Sequence, residues 1–437
     1  MKTAIQTILF LLSILLVPTN ARSQSEFKIS TTIRPRMEFR DGYKTLKKEG
    51  DKPAAFVSQR SRLRVDFKNE LVQTRFTIYD YRVWGDQMWK KDIPTAGIHE
   101  AWASVKLGEY TRLKIGRQSF QYDNGRLLSA VNWNQVGAAH DGAMLSYLKN
   151  DFNLEIFSAW NQNKENNIGT DYMYDGLTAS FYYKNLNILW LSKKFNKAQL
   201  SFLTLVDGHE EVKEIEGEEI NNPEHLNYRY TSGLIYKQAI GDIKFKAQGF
   251  FQGGKLYTGE DVSAFYLNCE VNYKISSNAG IQLGFETFSG NDYSDTDNTT
   301  NKAFDILLGA RHKFNGRIDY FSTPSTTKQV GLVNPFTKLD YSFKNKTSVK
   351  LAYHQFFLHQ SYLPDNNTQS VDKYLGQEID LTVKKKFNDY MSIQGGYSIM
   401  LASNTMELLK GGDKTKLNQW AFVMFTINPT LFTHKNE

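Results

Sequence analysis

The strongest constraint on this chain is a two-residue period that returns in segments of about ten residues, while no stretch is long and apolar enough to cross a bilayer as a helix. In "FKISTTIRPRMEFR", Phe27, Ile29, Thr31, Ile33, Pro35, Met37 and Phe39 alternate with Lys28, Ser30, Thr32, Arg34, Arg36, Glu38 and Arg40. In "RSRLRVDFK", Arg60, Arg62, Arg64 and Asp66 alternate with Ser61, Leu63, Val65 and Phe67. Successive side chains of a strand point to opposite faces, so each segment has one charged face and one apolar face. A soluble sandwich shows the same alternation, so the rest of the chain must decide which face meets water.

The first residues point to export. Lys2, the short apolar run Ile8 to Val17 and the small-residue site Ala21-Arg22-Ser23 read as a secretory signal peptide over residues 1–23, too short for a membrane helix. Residues 24–437 then form one domain. Its single cysteine, Cys269, excludes an internal disulfide and a multi-cysteine zinc site. Aromatics make up 14% of the chain, with 24 Tyr and 29 Phe against 9 Pro, while charged residues make up 23%. That mixture suits strands with lipid on one side and water on the other.

"IKFKAQGFF", "FYLNCEVNYKI" and "QEIDLTVKKKF" repeat the pattern at about the length a tilted strand needs to span a bilayer. Short turns are expected at residues 68–70, 107–109, 149–150, 196–197, 241–242, 276–278, 344–346 and 388–389. Long loops are expected at 41–55, 85–97, 118–140, 162–173, 208–225, 290–330, 358–372 and 403–416. Short turns on one side and long loops on the other describe an all-β transmembrane antiparallel barrel with periplasmic turns and extracellular loops. Reading residues 180–195 as one strand gives an even count of eighteen, the last strand running from Leu417 to Ile427 with a tail beyond it. Trp84, Trp89, Trp133 and Trp160 lie toward the long loops, where an interfacial aromatic belt is expected.

"GRQSFQYDNGRLLSAVNWNQVGAAHDGAML" (116–145), with "RPRMEFR" and "QRSRLRVDF" early and "FDILLGARHKFNGRIDYF" and "YLGQEIDLTVKKKF" late, resembles the alginate export family of outer-membrane barrels. The resemblance implies an eighteen-stranded pore whose arginine-lined constriction passes an anionic polysaccharide. On matching positions the pore would be lined by Arg34, Arg36, Arg60, Arg62, Arg64 and Arg117.

Guanidinium groups suit a carboxylated solute, because they stay charged and pair with carboxylates through two hydrogen bonds. Asp66 and Glu38, on the same face, are expected to share the arginines and moderate the hold, since conduction needs many moderate sites. Strict alternation places Arg117 with Leu113 and Ile115 on the lipid face unless Gly116 marks a bulge that turns it inward. The run between His209 and His225 holds seven glutamates and reads as a solvated loop. "DYSDTDNTTNKAFD" lacks the sixth-position glycine and final glutamate of a calcium loop, so no metal site is expected. Hydrolase, metalloprotease and phosphate-loop motifs are missing, so the expectation is a channel, not an enzyme, and no cofactor is assigned. The expected partners are an anionic polysaccharide or small anionic solute and outer-membrane lipid, with no nucleic acid. A barrel hydrolase with a dispersed triad, or a barrel without transport, is the alternative.

Overall fold

The computed structural model describes residues 24–87, 95–170, 172, 183–215, 218–294, 299–322, 324–364 and 370–436. The expected leader at 1–23 and Trp89 lie outside them. Among the described residues the chain is one closed antiparallel sheet. Its strands are β1 (Ser25–Asp41), β2 (Ala54–Lys68), β3 (Val72–Val83), β4 (Ala96–Lys106), β5 (Thr111–Gln118), β6 (His140–Lys149), β7 (Phe152–Trp160), β8 (Asn185–Phe195) and β9 (Ala198–Ile215). They continue as β10 (Glu218–Ile240), β11 (Ile243–Lys255), β12 (Asp261–Lys274), β13 (Ala279–Phe288), β14 (Leu332–Ser342), β15 (Thr347–Leu358), β16 (Tyr374–Lys386), β17 (Met391–Ala402) and β18 (Asn418–Ile427).

Each strand pairs with its sequence neighbours, and β1 pairs with β18 to close an eighteen-stranded barrel. Closure satisfies every strand's backbone groups without water, as a hydrocarbon environment requires. The tail beyond Ile427 is not a free extension. Thr430–Asn436 continues the same edge and pairs with β1 from Ser25 to Ser30, Asn428 and Pro429 making the break. Ser25 and Asn436 therefore meet on the side of the short turns.

All eight expected short turns are present. Asn150 (φ 53°), Asn196 (φ 51°) and Gly241 (φ 56°) take the left-handed conformation that tight hairpins demand. The opposite side differs from expectation at 208–225, where β9 and β10 extend as one long hairpin paired from Ala198 to Ile215. Backbone pairing, from Glu210 opposite Leu226 to Ile215 opposite Glu218, carries the ladder through the glutamates.

The two faces divide as the alternation requires. Ile33, Met37, Leu63, Leu267 and Val423 are exposed on the outside, with Leu63 at 42%, whereas Arg34, Arg36 and Arg60 on the inner face are only 6% exposed. The inner face is buried because two loops fold into the barrel, residues 119–139 and the described residues of 289–331. They are knit together by a parallel bridge between Leu128 and Leu308 and by bonds from Ser129 N to Leu308 O (3.1 Å) and Ala310 N to Gly125 O (2.9 Å). Leu127, Leu128, Ile306, Ile318, Tyr320 and Phe321 form an apolar cluster inside the barrel. Trp84 and Trp160 are exposed at the barrel surface, but Trp133 turns inward and stacks on His312 at 4.3 Å, so it belongs to no belt.

Candidate functional site

The β1–β2 register sets Arg34 directly opposite Arg60, Arg36 opposite Ser58, Arg62 opposite Thr32 and Arg64 opposite Ser30. Five guanidinium groups thus share one patch of inner wall, brought together by the period-two alternation of two adjacent strands.

The 119–139 loop covers the upper part of that patch. Arg34 donates to the carbonyls of Asn132 (2.7 Å), Trp133 (3.1 Å) and Asn134 (3.0 Å) and to the Gln135 side-chain oxygen through Nε (3.1 Å) and Nη2 (3.0 Å). Arg36 donates to the Trp133 carbonyl (2.7 Å) and lies over its ring at 4.2 Å. Arg62 donates to the Val136 carbonyl. Gln135 returns hydrogen bonds from its amide to the carbonyl (3.1 Å) and hydroxyl (3.0 Å) of Ser58. Arg60 is different. It is buried beside these groups, and its Nε and Nη1 find no acceptor among the described residues.

The acids sit at the ends of the patch. Glu38 holds Arg36 at 2.8 Å and Arg40 at 2.9 Å and accepts from the Trp420 indole at 3.1 Å. Asp66 pairs with Arg75 at 2.6 Å, a residue the alternation argument did not single out. Glu100 lies 3.5 Å from Arg64 and 3.7 Å from Arg75. A bulge in β4, where Thr77 faces Glu100 but Ile78 faces Ile98, turns both His99 and Glu100 inward. Arg64 and Arg75 remain partly open to the lumen, with side chains 36% and 30% exposed.

Arg117 is not a lumen residue. It lies two positions from the outward Ile115, opposite Ala101 and Asp141, and pairs with Asp141 at 2.5 Å while donating to the Ile98 carbonyl. Gly116 has the unusual φ of 118°, but the side-chain alternation passes through it unbroken, so Arg117 keeps the outer face.

Between the two loops lies a cavity of about 410 Å³ lined by Lys44, Gln121, Ser129, Asn132, Trp133, Asn134, Arg311, His312, Lys313 and Asp319, among others. The single strip 132–134 separates it from the arginines: its carbonyls face Arg34 and its side chains help line the chamber. Burial works against the Asp319 carboxylate, yet the His312 ring (3.0 Å) and the Tyr43 hydroxyl hold it below the usual carboxylate range. Burial pushes the Lys313 ammonium down, and the positive field of Lys246 acts in the same sense. The basic segment "GARHKFNGR" that supplies Arg311, His312 and Lys313 carries no strand period, so alternation gives no sign of it.

The loop returning under β16 is held by a carboxylate. Glu378 accepts from the backbone N–H groups of Arg317 and of Ile318, the latter at 2.9 Å. Together the two loops narrow the lumen to the chamber and the partly open lower wall.

No curated protein matches the sequence. Among solved structures, the chain is similar in fold to Pseudomonas aeruginosa OccK9 (OpdG) at 11% identity, over 93% of this chain and 98% of that one, with a TM-score of 0.60. Similar values hold for Acinetobacter baumannii OccAB1 (14% identity, 93% and 97%, TM-score 0.58) and for Pseudomonas aeruginosa OpdK with vanillate (11%, 92% and 98%, TM-score 0.56). The model of the family described as alginate export matches residues 25–419, spanning the barrel from its first strand into its last. With the closed eighteen-stranded barrel, the inward loops and that match in hand, the chain belongs to the alginate export family of bacterial outer-membrane β-barrels.

Proposed function

We propose that this outer-membrane channel is passive and selective for anions, passing an acidic polysaccharide such as alginate, or its fragments, along an arginine-lined wall. The observation that carries this reading is the imbalance at the centre of the patch. Arg34 and Arg60 face each other without an acid between them, and Arg60 keeps two buried donors unfilled. A buried guanidinium lacking acceptors is costly, and a passing carboxylate supplies the paired acceptors it lacks. Arg64 and Arg75, partly exposed and balanced by Asp66 and Glu100, give the moderate attraction that permits release.

The loops favour fragments over an extended chain, because they occupy the upper lumen and bond to the wall through backbone carbonyls. OpdK, similar in fold, was crystallised with vanillate, a compact carboxylate, which fits the same reading. Reversal potentials in planar bilayers across a salt gradient test it. Anion preference that falls in the triple variant R60S/R62S/R64S is expected. Cation preference in the wild type, or a preference untouched by the triple substitution, refutes it. Raising ionic strength should weaken selectivity, since screening acts over about 8 Å at physiological salt.

A further inference from the structure

The cavity between the loops has a composition of its own. Lys44, Arg311 and Lys313 bring three cations to its lining, and Asp319 is the acid among the lining residues. Asp319 is committed to His312 and Tyr43. Arg311 is positioned by bonds from its Nε to the Ser322 carbonyl (2.7 Å) and from its Nη2 to the Leu307 carbonyl (3.0 Å). Lys313 donates to the Asn124 carbonyl at 3.1 Å. The Lys44 ammonium has no acceptor among the described residues, and its backbone is fixed by a bond from its N–H to the Ile318 carbonyl (3.1 Å) at a φ of 67°. Around the cations stand neutral hydrogen-bonding groups: Gln121, Ser129, Asn132 and Asn134.

We infer that this chamber is a discrete binding station for one carboxylated sugar ring, a second stop separated from the arginine wall by the thickness of the 132–134 strip. Its volume, about 410 Å³, falls within the roughly 300–1,000 Å³ of small-molecule sites. The lysines would meet the carboxylate, and the amides and the serine hydroxyl would meet the ring hydroxyls. A polyhydroxylated ring fits better than an aromatic acid because the one indole present is already occupied. Trp133 carries the Arg36 guanidinium at 4.2 Å and the His312 ring at 4.3 Å, with Trp420 and Phe422 edge-on to it. An aromatic solute would find no free ring face on Trp133, whereas a uronate needs none. This assignment rests on the anion-channel reading for its route of access, and on the chamber alone for its ligand.

The test is calorimetric titration of the folded full-length barrel in detergent with glucuronate, glucose and benzoate, alongside bilayer recordings of the same protein. Glucuronate should bind at least about tenfold more tightly than glucose or benzoate. The double variant K44Q/K313Q should lose about tenfold in glucuronate affinity, while Lys274→Gln, on the opposite rim, should lose none. Equal affinity for glucuronate in K44Q/K313Q and wild type, or benzoate binding as tightly as glucuronate, would overturn the assignment. Loss of affinity in K44Q/K313Q with anion preference retained in bilayers supports the chamber as a station separate from the wall. Selective glucuronate binding by a wild-type barrel without anion preference also supports the chamber and sinks only the channel reading.

Discussion

The cover over the arginines hangs on Gln135, which makes it the place to perturb. Gln135→Ala removes an oxygen shared by Arg34 Nε and Nη2 and an amide that donates to the carbonyl and hydroxyl of Ser58. A bond to a charged partner contributes about 1.5–3 kcal/mol net and a neutral one about 0.5–1.5 kcal/mol, so the anchor is worth about 2–4 kcal/mol. Arg34 keeps its three carbonyl acceptors, which places the loss near the low end. At a factor of ten per about 1.4 kcal/mol, detachment of the loop becomes about thirtyfold more frequent. Hydrogen exchange reads this directly at three amides closed by loop bonds: Ser129 to Leu308 O, Asn134 to Val131 O and Ala138 to Ala130 O. Those amides should exchange about thirtyfold faster in the variant while strand amides of β1 and β2 keep their protection. Unchanged exchange at all three, or the same acceleration throughout the strands, would show that Gln135 does not hold the cover.

Gly316 has a φ of +75° and lies against the Glu378 carboxylate, so Gly316→Ala adds a left-handed penalty of about 1–2 kcal/mol and a steric conflict. The 311–322 segment should come away from β16, seen as trypsin cleavage at Arg317 in the variant and not in the wild type. Burial, reinforced by the charge of Lys328, pushes the Lys410 ammonium down to about 7. Between that value and an unfolded value of about 10.4 the unfolded chain binds more protons, so this lysine's penalty is fully present below pH 7 and relieved as pH rises through the window. The guanidinium unfolding midpoint of the wild type should therefore rise from pH 7 to 9.5 relative to Lys410→Met, with no relative change below pH 6. Cys269 is exposed on the lipid face in the same row as Leu267 and Val271, so in vesicles a membrane-permeant maleimide should label it and a charged one should not.

The wall of the barrel could be read from sequence because its determinants are local. Alternation fixes the face of every side chain, and Asn150, Asn196 and Gly241 mark hairpins that need only a left-handed residue. Arg34, Arg36, Arg60, Arg62 and Arg64 therefore came together as expected. What sequence did not reveal is long-range and carried by backbone atoms. Nothing in "AVNWNQV" says that three consecutive carbonyls will turn toward an arginine about a hundred positions earlier. The covered state of the arginines, the inward turn of Trp133 and the Lys44–Lys313 chamber all follow from that docking. The glutamate run at 210–219 misled because charge was taken to mean solvation, whereas its described backbone pairs as a β-ladder and Glu210 is buried. Arg117 shows the reverse: alternation had placed it outside, and only the family likeness drew it into the lumen.

The division of labour between the two loops has a consequence for biogenesis. The first loop is fastened over the arginines to Arg34, Arg36, Ser58 and Arg62, and through Asp123 and Arg126 to Trp190, Ser201, Lys237 and Glu286, so its anchors exist before the last strands are laid down. The second is tied at its tip to Glu378 and, through the Tyr320 hydroxyl, to the Gly42 carbonyl, partners drawn from near both ends of the polypeptide. One half of the constriction is thus available to a partly assembled sheet, and the other awaits the final strands. A barrel arrested before its seam is joined would carry its arginine cover yet lack the chamber.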